Sequence, residues 1–131
     1  QHNERGHFEC RWVSLQPSSQ LCVWTRALEE PVRCPVAHGE GRYVAGTAVL
    51  EQLRSEDRVA FRYAADDYPA NPNGSAEAIA GVCDSTGLVL GMMPHPENHV
   101  TERQGRAIVT VGKEGHALPL FRNGVAAARA S

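Results

Sequence analysis

No run in this 131-residue chain approaches the roughly 18 apolar residues of a membrane-spanning helix. No secretory leader pattern is visible either. Cysteine occurs at positions 10, 22, 34 and 83 and never as C-x-x-C. That argues against a cysteine-dense secreted scaffold, and the four are expected to be reduced, mostly packed residues of a cytoplasmic protein. The net charge is only −2, so nothing points to nucleic acid or an anionic membrane as partner. The phosphate-cradling G-x-G-x-x-G and P-loop patterns are missing, and no G-x-S-x-G surrounds Ser75. Internal repeats and low-complexity tracts are missing as well.

What is present fits one globular domain. Hydrophobic residues make up 42% and charged residues 21%, ordinary values for a folded soluble chain. A chain of this length buries about two thirds of its extended surface. Alternation over 7–13 predicts a half-buried strand with Phe8, Cys10 and Trp12 on one side, broken by Gln16-Pro17-Ser18-Ser19. A short apolar piece follows at 21–24, and 32–37 is a second strand. Thr47 is suited to cap a helix whose Val49, Leu50 and Leu53 share a face. Residues 58–64 alternate again, 66–75 are turn-rich, and 79–83 and 88–92 form a hairpin about Asp84-Ser85-Thr86-Gly87. Residues 98–116 are polar, with an apolar run at 107–111. Leu118, Phe121, Val125 and Ala128 have the spacing of a closing helix. The mixture is α/β or α+β, richer in strand than in helix.

The most informative segment is Met92-Met93-Pro94-His95-Pro96-Glu97. Met93 and His95 each precede proline, which disfavours helix, and each proline fixes its own φ. On extended backbone, residues two apart project to one side. His95 and Glu97 should therefore emerge together at the end of a buried strand, as a base and the carboxylate that orients it. His38-Gly39-Glu40-Gly41 follows a strand, and its glycines permit positive φ and close approach to a ligand. A metal set drawn from His95, Glu97, His99, His38 and Glu40 is the chemical rival, though the spacing matches no familiar zinc pattern. Asn71-Pro72-Asn73-Gly74-Ser75 reads as a tight turn.

Together these segments resemble the class I (triad) glutamine amidotransferases, and within them the glutaminase subunit or domain of phosphoribosylformylglycinamidine synthase. Phe8-Glu9-Cys10-Arg11 resembles the strand after the nucleophile helix. Pro35 to Gly41 is similar to P-V-A-H-G-E-G. Asn73-Gly74-Ser75 and Ile79-Ala80-Gly81-Val82 resemble N-G-S…I-A-G. Gly91 to Glu97 is similar to G-M-M-P-H-P-E, and Leu120-Phe121-Arg122-Asn123 to the closing helix.

The resemblance implies a flavodoxin-like, three-layer α/β fold: a mixed or mostly parallel sheet with flanking helices, of which residues 1–131 would be the C-terminal part. It implies glutamine as substrate and a Cys-His-Glu triad, with His95 as base and Glu97 as its orienting partner. His38 and Gly39 would sit in the wall of the donor pocket. No cofactor or metal is implied in this chain, since ATP and magnesium belong to the synthetase partner, which a small bridging subunit can accompany. The family's G-V-C-N-G nucleophile elbow has no counterpart in the sequence. The chain is accordingly expected to lack the nucleophile and to be inactive alone, with its incomplete sheet exposing edges. Asn98 stands where arginine usually follows P-H-P-E, and 98–116 differ from relatives. The alternative is a non-catalytic docking module derived from such an enzyme.

Overall fold

The structure, a computed structural model, describes residues 1–105 and 117–130. The apolar run expected at 107–111 lies outside the described residues. Five strands form one sheet: β1 (Glu9–Pro17), β2 (Val32–His38), β3 (Val59–Tyr63), β4 (Ile79–Cys83) and β5 (Leu90–Met92). Their order is β2-β1-β3-β4-β5, and every described pairing is antiparallel. The helices are α1 (Thr47–Ser55), the four-residue α2 (Glu102–Gly105) and α3 (Leu118–Ala130). The α/β class with flanking helices is as expected, whereas the parallel pairing implied by the resemblance is not found among the described residues. None of the helices described is long and apolar enough to cross a membrane.

β1 corrects the sequence reading. Its buried positions are Glu9, Val13 and Leu15, while Phe8 is 67% exposed and Cys10 is exposed. The apolar character of Phe8, Cys10 and Trp12 pointed to the wrong face, because Glu9 goes inside with a partner. The strand also runs on through Gln16 to Pro17, pairing with Arg62 and Phe61 of β3. β2 buries Val32, Cys34, Val36 and His38 at alternate positions. It tolerates Pro35 because it is an edge strand, where a missing N–H costs no ladder bond. β3 is buried at Val59, Ala60, Phe61 and Tyr63, as expected of a central strand.

β5 is also not the buried strand expected of 88–92. It is three residues long at the other edge, and Leu88 and Val89 before it are exposed. The hairpin itself is as read: β4 and β5 pair through Val82↔Gly91, and Asp84 ties the turn by accepting from Val89 N–H and Thr86 Oγ1. Gly87 has φ +73°, and a Cβ there would lie 2.3 Å from the Leu21 carbonyl oxygen, so this turn does need glycine.

After β5 the chain crosses back to the opposite edge. The His95 N–H donates to the outward carbonyl of Pro35 at 2.8 Å, and His99 Nδ1 donates to the Arg33 carbonyl at 2.5 Å. Residues 93–99 thereby cover part of the free edge of β2, a sheet edge otherwise open to pairing.

The helices differ in detail from expectation. Thr47 is the first residue of α1 rather than its cap; Gly46 holds the N-cap with no side-chain hydrogen bond. Only Leu53 is buried, against Val59 and Ile79, while Val49 is exposed. In α3 the buried residue is Leu120, not Val125, which is exposed. Asn123 Nδ2 fastens the helix by donating to the carbonyls of Trp24 and Arg26. Gly124 lies against the Trp24 ring, where a Cβ would come within 2.3 Å. The main core runs from Val13, Leu15 and Phe61 through Val36 and Cys34 to Leu120.

Candidate active site

His95 and Glu97 do meet, but not along extended backbone. Pro96 opens a 3-10 turn over Pro96–His99, with His95 as its N-cap at φ −107° and ψ 79°. Proline is well suited to a first helical position, where its missing N–H has no partner to lose. The turn carries the Glu97 side chain back toward the ring, and Nδ1 lies 2.8 Å from Glu97 Oε1. Pro94 and Pro96 are buried, so the pair stands on a packed support. The side chains are 41% and 56% exposed. A carboxylate at Nδ1 favours the tautomer with the proton there, which leaves Nε2 as the basic nitrogen, facing away from Glu97. Such a pair can take a proton from a nucleophile and return it to a leaving group.

The turn is braced on its far side. Gln104 Oε1 accepts from the backbone N–H groups of Val100 and Thr101, both at 2.9 Å. His99 is buried, at the Arg33 carbonyl and edge-on to Trp12 with 5.0 Å between ring centroids. It does not share a face with His95 and Glu97. Glu40 is exposed and pairs with His2 at 3.2 Å. The rival metal set is thus split three ways. Among the described residues, no group of three or more His, Cys, Asp or Glu side chains is arranged to hold a metal ion.

His38 ends β2, directly opposite Glu9 of β1. Its ring is buried, and neither nitrogen has a hydrogen-bond partner in another residue. Burial holds its pKa below the usual histidine range, and the charge of nearby His95 adds to that; the polar atoms of its own backbone and, less strongly, Glu9 act the other way. Glu9 is itself buried and accepts from Arg11 Nε at 2.7 Å. The carboxylate pairs with Arg11 while standing beside the imidazole.

The glycines of the His38–Gly41 segment do not take up the positive φ open to them. Neither Gly39 nor Gly41 has a positive φ. Gly39 is half-buried, and a Cβ there would make an ordinary 3.9 Å contact with Phe8. Gly41 is required for another reason: a Cβ would fall 2.2 Å from His38 Cε1 and 2.3 Å from Nδ1. Its Cα lies flat against the imidazole.

Three residues to which sequence reasoning assigned no part in this segment hold it: Asn3, which it passed over, and Asn73 and Ser75, which it read as a turn and as part of a family motif. Asn3 Nδ2 donates to the His38 carbonyl at 2.8 Å, and Asn3 Oδ1 accepts from Gly41 N–H at 3.1 Å. Fully buried Asn73 donates through Nδ2 to the Gly41 carbonyl at 2.5 Å and to Tyr63 Oη at 3.2 Å. Ser75 Oγ donates to Asn73 Oδ1 at 2.9 Å and accepts from Tyr43 N–H at 2.9 Å. The only signal for this in the sequence was the Asn-Gly-Ser composition, which turn chemistry explained without a partner. Beside the segment lies a cavity of about 280 Å³, walled by Glu40, Arg42 and Tyr43 on one side and Gly81, Met92 and Met93 on the other.

Among the described residues no cysteine thiol is hydrogen-bonded to His95. Cys34 is sealed in the core, and burial, with the Glu97 charge adding, pushes its pKa up to about 12. A nucleophilic thiol needs the opposite, a lowered pKa.

Comparison with known proteins agrees with this reading of the fold. The profile described as a CobB/CobQ-like glutamine amidotransferase domain matches residues 1–126. A protein of Treponema denticola named phosphoribosylformylglycinamidine synthase subunit PurQ is 41% identical over 114 residues, 79% of this chain and 42% of that protein. A Nostoc protein of the same name is 47% identical over 97 residues, 72% of this chain and 42% of that one. The solved structure of PurLQS from Thermotoga maritima matches with a TM-score of 0.72 and 35% identity, over 97% of this chain and 51% of that chain. This chain spans about 42% of the length of these two curated relatives. With its profile matched over nearly all of its length, the chain belongs to the CobB/CobQ-like glutamine amidotransferase domain family.

Proposed function

We propose that this chain supplies the general base and its orienting carboxylate to a glutaminase, the component of phosphoribosylformylglycinamidine synthase that hydrolyses glutamine to glutamate and ammonia. The observation that carries the reading is the 2.8 Å contact between His95 Nδ1 and Glu97 Oε1, in a chain whose relatives bear that subunit's name. In this mechanism His95 Nε2 takes the proton of a cysteine thiol, and the thiolate adds to the side-chain amide carbon of glutamine. The imidazolium then protonates the departing nitrogen, ammonia leaves, and water attacks the remaining thioester to release glutamate. Glu97 holds the ring in one tautomer and stabilises its charged form.

The cysteine belongs to a nucleophile elbow that this sequence does not contain, so the chain by itself is inactive. His38 and Gly39 contribute to the wall of the donor site. Ammonia passes to an ATP- and magnesium-using synthetase component that amidates formylglycinamide ribonucleotide in the cytoplasm, with a small bridging subunit as a further partner. A docking module without chemistry is not favoured, because docking gives no reason for a histidine and a carboxylate to be oriented at hydrogen-bond distance.

The test is glutamate release by a protein that carries this sequence together with a nucleophile elbow. His95→Ala should lower kcat by about 10²- to 10⁴-fold, the usual share of a positioned acid–base group, and the chain 1–131 alone should release none above background. Undiminished activity in the His95→Ala protein would remove His95 from the mechanism. Release by the chain alone, abolished by the same substitution, would show that the nucleophile lies within it.

A further inference from the structure

The imidazole of His38 is held in an unusual way. A buried histidine is ordinarily oriented by a hydrogen bond from one of its nitrogens, yet both nitrogens here are buried without a partner in any other residue. The surface against which the ring packs is the backbone of Gly41, so close that no Cβ fits. Gly41 in turn is fixed from both sides of its peptide groups. Its N–H donates to Asn3 Oδ1 at 3.1 Å and its carbonyl accepts from Asn73 Nδ2 at 2.5 Å. Asn73 is fully buried and locked by Tyr63 and Ser75. Two titratable groups act on the ring through their charge, Glu9 of β1, which lies opposite His38 in the sheet, and His95 of the segment after β5.

We propose that Asn73 is a positioning residue, which acts through Gly41 to keep the His38 ring seated beside His95. The proposal rests on the glutaminase reading above for its importance to the reaction, but not for its geometry. The clamp reaches across the fold: Asn73 lies in the loop between β3 and β4, Gly41 after β2, and Tyr63 at the end of β3. Loss of the Asn73 amide frees the Gly41 carbonyl, and the ring loses the surface that seats it. A ring released toward water regains the ordinary histidine pKa, because burial was the main cause of its depression. It then takes up a proton next to His95, where a second positive charge opposes the imidazolium the reaction must form.

Asn73→Ala and Gly41→Ala reach the same end by different routes, one by removing the clamp and one by pushing on the ring. Gly41 has no positive φ, so alanine strains only the ring contact. Both should lower kcat/KM at pH 7 by about tenfold, a fraction of what a 1 Å misplacement can cost. Both should also add a second proton to the acid limb of the kcat/KM profile. Histidine Cε1–H NMR titration of the same proteins gives a readout independent of activity. The His38 signal should titrate below the ordinary histidine range in the parent and near the ordinary value in both variants. A His38 signal that titrates alike in parent and variants overturns the proposal, whatever the activity. So does a loss of activity by one factor at every pH, with KM unchanged and in step with the fraction unfolded, since that is a structural role only. Should the parent protein release no glutamate, the functional reading fails, and the NMR titration still decides the clamp.

Discussion

Glu97 shows how much a single side chain can decide. Its oxygen is 2.8 Å from His95 Nδ1, and in the proposed mechanism its task is to set where the imidazole carries its proton. Glutamine at this position keeps the length but replaces an acceptor-only carboxylate with a group that also donates. The amide can present its NH₂ to Nδ1 and so stabilise the tautomer protonated on Nε2, the wrong nitrogen. Glu97→Gln is therefore expected to lower kcat by about 10²- to 10⁴-fold with the fold intact. Steady-state glutamate release by a protein that also carries the nucleophile elbow, beside a thermal melt, checks this; unchanged kcat would mean that Glu97 does not orient His95. The pairing itself was legible in the sequence, from a histidine flanked by prolines and a carboxylate two positions on. The backbone that produces it was not, because His-Pro-Glu is compatible with both an extended segment and a tight turn. The turn is fixed by contacts from elsewhere in the chain, the capture of the His95 N–H by Pro35 and the bracing of Val100 and Thr101 by Gln104.

At the level of elements, β1 carries the clearest lesson. A strand turns every side chain to the other face with a one-residue change of register, and residues 7–13 offered two faces with similar claims. Phe8, Cys10 and Trp12 looked like the inside. Burial goes instead to Glu9, Val13 and Leu15, because pairing with β2 and β3 along the whole strand places Leu15 over the core beside Phe61. The two faces predict opposite mutational effects. Leu15→Ala should cost about 2–5 kcal/mol, the range for a buried leucine truncated in a packed core. Phe8→Ala should stay within about 0.5 kcal/mol, as for an exposed site. Urea unfolding of both variants decides the matter, and the reverse ranking would put Phe8 inside. The same element explains why Glu9 escaped notice: a carboxylate goes inside only with a partner, and Arg11 supplies it from two residues along at 2.7 Å.

Across the whole molecule, the buried titratable groups set a pH limit on stability. Burial raises Cys34 and Tyr63 to about 12 each, from ordinary values of 9.0 and 10.0. Both groups are neutral when protonated, so a raised folded pKa means that folding favours the protonated form. Their contribution is complete below the unfolded values and is lost as pH rises from about 9 toward 12. The melting temperature should hold level from pH 7 to just below 9 and fall steadily above it, since the unfolded chain releases these protons first. Cys34→Ser should not abolish the fall, because Tyr63 remains. A melting temperature that is flat to pH 11 would show that neither group is buried as described.

The sequence by itself determined the family, the strand-rich α/β composition, the hairpin at 84–87, the closing helix and the His95–Glu97 pair. Each is written in local chemistry, as residue spacing, turn formers or an ordered set of short motifs. Tertiary structure alone decided which face of β1 is buried, that β5 is an exposed edge, and that residues 93–99 return to the opposite edge of the sheet. It also decided that Asn3, Asn73 and Ser75 are clamps around Gly41 and not merely turn formers. In each case the deciding contact joins residues far apart in the chain: Asn73 and Gly41 are 32 positions apart and Asn3 and Gly41 38. Local propensity carries no information about such a pairing, because the energy that fixes it exists only once the sheet has brought the two segments together.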